Sequence, residues 1–288
     1  MIINKKRLSK CRCKTKFKGK LCKCQMRLED KIDSKPNKPK ILFYDIETSP
    51  LRAWVWRTGD DQRISHEQLD PKHSNYKIIC IGYKWEGQPV QILHWDYYKQ
   101  NSARIIKEFD EIANKADIVI GKNSDRFDVK HLNMQRLLAR LPGLPNWMVN
   151  TDDIEKQYRK YFAFPSNSLD YLAKELFGKG KDDMKMQNWI DIVEKNNKAS
   201  FYKMLKYCKG DVENSEKLWK FASAHFKPKF NAATDHGLLC ANCGSNHIKK
   251  NGTRPTGKTL YQFFYCLDHG GYAGKAPINK NGEYGKIG

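Results

Sequence analysis

The chain has 288 residues, 40% of them hydrophobic, which is enough for one well-formed core with small appendages. Its formal charge is +21, and no apolar run approaches the roughly 18 residues that a bilayer-spanning helix needs. A membrane-spanning helix is therefore excluded, and the basic N-terminus, MIINKKRLSKCRCKTKFKGK, lacks the apolar segment of a secretory signal.

The charge is concentrated at the two ends. Residues 1–40 carry +12 and residues 220–288 carry +7, whereas residues 41–219 carry only +2. Basic flanks of this kind bind polyanions through phosphate contact and counterion release. Neither flank has the long amphipathic pattern of a membrane-surface helix.

Residues 1–24 are rich in Lys, Arg and Cys, and residues 25–40, ending SKPNKPK, read as a polar linker. The pattern predicts a buried strand over 41–47, stopped by Pro50, then a short strand in LRAWVW (51–56). KIICIGYKW (77–85) and PVQILHW (89–95) read as two strands around a turn at Gly87. Apolar residues at 105, 106, 109, 112 and 113 predict a helix over 101–116. DIVIG (117–121) reads as a buried strand, and 126–141 as a helix with Asp125 as its N-cap. WMVNTDDI (147–154) suits another strand. Ser168 and Gly178 bracket a further helix, and NWIDIVEKN and SFYKMLKYCKGDVENSEKLWKFASAHF complete a helical half. The expected fold class is α/β, a sheet with helices packed on it.

Within the first strand, FYDIETSP places Asp45 and Glu47 two residues apart, hence on one face. Two neighbouring carboxylates repel each other and are costly to desolvate, so the pair calls for cations. A two-metal site needs further oxygen ligands from other elements. Asp128 in GKNSDRFD and Asp211 in YCKGD are the candidates, with Asp125 a rival to Asp128. Tyr207 lies four residues before Asp211, on the same helix face, although Gly210 is expected to loosen that turn.

D-x-E on a strand, then N-x-x-x-F-D, then Y-x-x-x-D resembles the DEDD family of 3′→5′ exonucleases in its tyrosine subclass, over roughly residues 41–222. Proofreading domains of DNA polymerases and RNase D-type ribonucleases belong to that family. The histidine subclass would need His at position 206, where Lys206 stands. DIETSP followed by VW is also similar to stand-alone exonuclease-like phage proteins. The resemblance implies a ribonuclease H-like fold. It also implies two Mg²⁺ or Mn²⁺ ions held by Asp45, Glu47, Asp128 and Asp211, Phe127 before Asp128 favouring the latter over Asp125. Tyr207 would orient the attacking water. Thr48 would lie near the 3′ hydroxyl, and Asn123 and Phe127 would shape the terminal pocket.

The cysteines fall in clusters, which in a chain without a secretory signal suggests metal. Cys240, Cys243, Cys266 and His269 have the spacing C-x₂-C-x₂₂-C-x₂-H and resemble a zinc ribbon, a tetrahedral Zn²⁺ site. His236 and His247 are rival fourth ligands. Lys249, Lys250, Arg254 and Lys258 between the knuckles suit phosphate contact, while Tyr261, Phe263, Phe264 and Tyr265 are expected mostly to form a mini-core. Cys11, Cys13, Cys22 and Cys24, C-x-C-x₈-C-x-C, are candidates for a second Zn²⁺. Cys80 and Cys208 read as buried thiols.

The sequence thus leads to the expectation of three domains: a basic arm (1–40), an exonuclease domain (41–225) and a zinc ribbon (226–288). The expected partner is nucleic acid, with single-stranded 3′ ends and DNA favoured, and a polymerase or replication protein is a further candidate. The expected setting is cytoplasmic, in a bacterial or phage-infected cell. The alternatives are an RNase D-like ribonuclease and a non-catalytic nucleic-acid-binding protein on the same scaffold.

Overall fold

The computed structural model describes residues 39–59, 62–149, 151–226, 233–234, 237–240, 243–256, 259–268 and 270–278. Contacts divide them into two units, Pro39–Phe226 and a second one within 227–288. Among the described residues, no helix is long and apolar enough to cross a membrane.

The first unit is built on a five-stranded mixed sheet. Its strands are β1 (Ile41–Thr48), β2 (Ile78–Trp85), β3 (Gln91–His94), β4 (Ile118–Gly121) and β5 (Thr151–Asp153), in the order β3-β2-β1-β4-β5. β2 and β3 form an antiparallel hairpin whose turn uses Gly87 at φ 75°, and β2 pairs antiparallel with β1. β4 runs parallel to β1, and β5 parallel to β4. Among the described residues six α-helices accompany this sheet: α1 (Ala103–Ala113), α2 (Asp128–Leu138), α3 (Ile154–Tyr161), α4 (Leu169–Phe177), α5 (Met186–Lys195) and α6 (Lys198–Ala222), with α3 and α4 packing against α6. This is the α/β arrangement of a ribonuclease H-like fold.

Alternation along β1 sorts its side chains between two cores. Leu42, Tyr44 and Ile46 pack with Ile105, Ile106 and Phe109 of α1, Leu132 of α2 and Trp147. The opposite face, where Asp45 and Glu47 stand, meets α6. There Ile79 and Cys80 pack with Phe201, Met204 and Cys208 of α6 and Ile192 of α5. Gly82 of β2, the partner of Asp45 across the ladder, lets α6 come this close: a Cβ there would lie 2.7 Å from the Cys208 sulfur and 3.0 Å from Val212. A buried ion pair fixes the far end of the crossing. Lys84 of β2 lies 2.6 Å from Glu216 of α6, and Glu216 also accepts from the Gly87 N–H of the hairpin turn at 2.7 Å.

Most predicted elements form near their expected bounds, including α4, where Ser168 caps the first turn and Gly178 ends the helix at φ 72°. Four expectations need correction. LRAWVW is not a strand: only Ala53 bridges to Leu69, because no sheet edge is there to pair with the rest. WMVNTDDI forms a short 3₁₀ turn over Asn146–Val149 and only the three-residue β5. Asp125 does not cap α2; that helix starts at Asp128, and Asp125 pairs with Lys156 at 2.5 Å. Gly210 does not loosen its turn, since it lies within the continuous α6.

The second unit contains the two-residue strands β6 (Ala233–Thr234) and β7 (Gly237–Leu238) and a three-stranded antiparallel sheet. That sheet consists of β8 (Ile248–Thr256), β9 (Thr259–Cys266) and β10 (Gly271–Pro277), in the order β10-β9-β8. Its core gathers Cys240, Phe264, Cys266, Ala273 and Ala276. Of the four aromatic residues expected in that core, only Phe264 is fully buried. Tyr261, Phe263 and Tyr265 alternate onto the other face of β9 and are half-buried.

Candidate active site

Three elements converge where β1 ends. β1 delivers Asp45 and Glu47 through its alternation. The loop after β4 turns back at Asn123, whose φ of 60° is left-handed, and leads Asp128 into the first turn of α2. That loop is held from outside by Asp153, which accepts from the backbone N–H groups of Asn123 (3.0 Å) and Asp125 (3.2 Å) while capping α3. Asp128 in turn accepts from the Ile46 N–H at 3.1 Å, tying α2 to β1 between the two acidic residues. α6 supplies Tyr207 and Asp211 from one helix face.

These side chains line one pocket of about 150 Å³, formed by Asp45, Ile46, Glu47, Lys122, Asn123, Phe127, Asp128, Lys181, Tyr207 and Asp211. All five expected catalytic residues are present, as are Asn123 and Phe127. Thr48 is not part of the lining; it ends β1 at an irregularity opposite Ile78. Two lysines in the lining had no sequence signal. Lys122 pairs with Glu155 at 2.5 Å. Lys181, in the polar run GKGKDDMK, lies 2.5 Å from Asp211 and 3.1 Å from the Tyr207 hydroxyl.

The electrostatics are those of a cluster short of cations. Burial, then the neighbouring Asp128 and Asp211, raise the Asp45 carboxyl well above the ordinary carboxylate range. Burial and Asp45 do the same to Glu47. Asp128 is pushed up to about 7, mainly by burial. Asp211 is also raised by burial, although Lys181 opposes this. For Lys181, burial pulls downward but Asp211 and Tyr207 outweigh it, so it remains a cation. Tyr207 is pushed up to about 12 by burial and by Asp211, so it remains a neutral phenol.

Among the described residues, the buried Glu47 Oε1 has no hydrogen-bond partner. Asp45, Glu47 and the Cys208 thiol form one group of potential ligands, within 4.8 Å of one another. The Cys208 thiol is held well above its ordinary pKa, first by its contact with Cys80 and then by burial, so it stays protonated and is poorly suited to a hard cation. The carboxylates fit divalent cations instead: hard oxygen donors, crowded, buried and under-neutralised.

In the second unit, the sulfurs of Cys240, Cys243 and Cys266 lie within 4.8 Å of one another, suitable for a soft or borderline metal. His269, His236, Lys258 and the N-terminal Cys11, Cys13, Cys22 and Cys24 lie outside the described residues. The rival His247 is exposed and engaged with Asp268 at 3.0 Å. Lys249, Lys250 and Arg254 are exposed on β8. Lys249 stands over the Tyr265 ring at 5.1 Å and Arg254 over Phe263 at 5.2 Å.

Residues 64–223 match the sequence profile of the RNase H superfamily. The chain belongs to the RNase H superfamily. The matched span includes Asp128, Tyr207 and Asp211 and begins after Asp45 and Glu47. Among solved structures, this RNase H superfamily chain is similar to the family B DNA polymerase from the hyperthermophilic archaeon Pyrobaculum calidifontis. The TM-score is 0.50 at 15% identity, over 67% of this chain and 25% of that one. It therefore spans about a quarter of the polymerase's length, and the likeness is one of fold. No curated protein sequence matches.

Proposed function

We propose that this chain is a metal-dependent 3′→5′ exonuclease acting on nucleic acid, DNA favoured. The observation that carries the reading is the convergence of Asp45, Glu47, Asp128 and Asp211 with Tyr207 on one small pocket of an RNase H superfamily fold. Asp45, Glu47, Asp128 and Asp211 would hold two Mg²⁺ or Mn²⁺ ions. Such ions, when bound, lower the pKa of water and stabilise the charge that develops on the leaving oxygen.

The chain's own groups supply position. Tyr207, a neutral phenol at neutral pH, orients the attacking water rather than removing its proton. Asn123 and Phe127 shape the space for the last nucleotide. Lys181 neutralises Asp211 in the metal-free protein, and on loading it is free to turn toward a phosphate. In the second unit, Cys240, Cys243, Cys266 and His269 would hold Zn²⁺, and Lys249, Lys250, Arg254 and Lys258 would contact phosphates.

The test is digestion of 3′- and 5′-labelled DNA and RNA oligonucleotides in Mg²⁺, Mn²⁺ or EDTA. Shortening from the 3′ end, abolished by EDTA and by Asp45→Asn or Asp211→Asn, is expected. Wild-type rates from either variant would remove the carboxylates from the mechanism.

A further inference from the structure

The three-stranded sheet of the second unit has two unlike faces, because side chains alternate along β9. Phe264 and Cys266 join the small core with Ala273 and Ala276 of β10. Tyr261, Phe263 and Tyr265 stand on the opposite face and are half-buried. The ladder sets Tyr272 of β10 across from Tyr265, and Lys275 across from Phe263. On the other side, Lys249 of β8 is across from Tyr265 and Arg254 across from Tyr261. The rings of Phe263 and Tyr272 meet with their centres 5.8 Å apart.

Each of the three β9 rings on this face carries a cation. Lys275 lies 4.1 Å from the centre of Tyr261, Arg254 5.2 Å from Phe263 and Lys249 5.1 Å from Tyr265. The three strands contain Lys249, Lys250, Arg254 and Lys275 but no acidic residue. Asp268, just beyond β9, is engaged with His247 at 3.0 Å and Ser245 at 2.5 Å. A face of rings and cations with no carboxylate among its strands is complementary to an anion that also carries flat apolar groups. A polynucleotide supplies both at every repeat. Ring spacing selects its form. Alternate residues of a strand are about 6.8 Å apart, twice the ~3.4 Å step of stacked bases. A strand running along β9 therefore meets successive rings only with its bases spread apart, which a duplex cannot offer.

We propose that this outer face is a second, non-catalytic binding site whose occupant is single-stranded nucleic acid. Bases stack on Tyr261, Phe263 and Tyr265, while Lys249, Arg254 and Lys275 swing to the phosphates. The inference rests on the nucleic-acid reading above and deepens it, since the rings rather than the charges set the strand preference. The exchange is favourable. An exposed cation over a ring contributes about 2- to 5-fold, whereas a stacked base contributes about 5- to 150-fold and the displaced cation gains a phosphate.

The experiment uses the full chain with Asp45→Asn in every arm and no added Mg²⁺ or Mn²⁺, which keeps hydrolysis out. No chelator is used, so any metal on the cysteines stays. Fluorescence anisotropy is read with a labelled single-stranded dodecamer, an abasic strand of the same length, and a duplex. The base-bearing strand is expected to bind more tightly than the abasic one. Tyr265→Ala and Phe263→Leu should each weaken it by about 5- to 150-fold, leaving abasic and duplex binding unchanged. Leucine keeps an apolar side chain on the sheet, and unchanged abasic binding shows that the sheet is folded. Tyr265→Phe should bind like the parent. Lys249→Ala and Lys275→Ala should instead weaken both single strands and flatten the log–log salt slope by about 0.7 each.

Equal binding of base-bearing and abasic strands would overturn the proposal. So would base-dependent binding that survives Tyr265→Ala and Phe263→Leu, which would put the base contacts elsewhere in the chain, and so would ring variants that weaken all three ligands alike. Failure of the wild type to hydrolyse DNA or RNA in Mg²⁺ or Mn²⁺ bears on the carboxylate reading alone, so the two failures are distinguishable.

Discussion

Asp128→Asn should make the metal-free protein more stable at pH 8, by a smaller margin at pH 5, and leave it nearly unchanged below pH 3.8. The Asp128 carboxyl is raised from 3.8 to about 7, chiefly because burial penalises its charged form. A carboxyl whose folded pKa exceeds its unfolded one binds protons more tightly when folded. Its stabilising contribution is fully present below pH 3.8 and is lost as pH rises through about 7. At 1.36 kcal/mol per unit, the difference between the two limits is about 4 kcal/mol. Asp45, Glu47 and Asp211 shift in the same direction and add to the slope. Asparagine removes the charge yet can still accept from the Ile46 N–H, so a gain of about 1–4 kcal/mol at pH 8 is expected. Urea unfolding in EDTA at several pH values measures this. All seven tryptophans lie between residues 54 and 219, so their fluorescence follows the first unit alone. A variant no more stable than wild type at pH 8, or a wild type that gains stability between pH 5 and 8, would refute the view that buried charge strains the metal-free site. Adding Mg²⁺ or Mn²⁺ should stabilise the wild type at pH 8, by about 2.7 kcal/mol at a hundred times its dissociation constant.

Tyr207→Phe should lower turnover by about 10²-fold without abolishing it, as a positioning group does, and single-turnover kinetics on a labelled oligonucleotide will show it. Glu216→Ala should cost about 3–5 kcal/mol in urea unfolding, because it leaves Lys84 buried without its partner at the β2–α6 crossing. Cys240→Ser or Cys243→Ser should release at least one Zn²⁺ per chain by metal analysis.

The helices and central strands were legible because their burial follows a period. Ile105, Ile106 and Phe109 trace one helix face, and β2 opens with the apolar run Ile78–Tyr83. The acidic pocket was legible because Asp45 and Glu47 interrupt a buried strand, which demands an explanation, and because Tyr207 and Asp211 share a helix face. LRAWVW misled because two indoles in a near-alternating run look like sheet, whereas in the structure they face solvent. Lys181 was hidden because it lies in an aperiodic polar loop, and only folding brings it to Asp211, 30 residues further along. Asp153 was hidden for a similar reason. Its four backbone bonds to Asn123, Asp125, Glu155 and Lys156 organise a loop and a helix cap that no local pattern announces.

The order of the acidic residues along the chain also affects synthesis. Asp45 and Glu47 leave the ribosome early, but Asp211 follows Asp45 by 166 residues. At about 5–20 residues per second the interval is roughly 10–30 s. During that time β1 has no α6 to cover its acidic face, and the four carboxylates cannot assemble. A growing chain therefore lacks the complete acidic pocket until its last long helix docks.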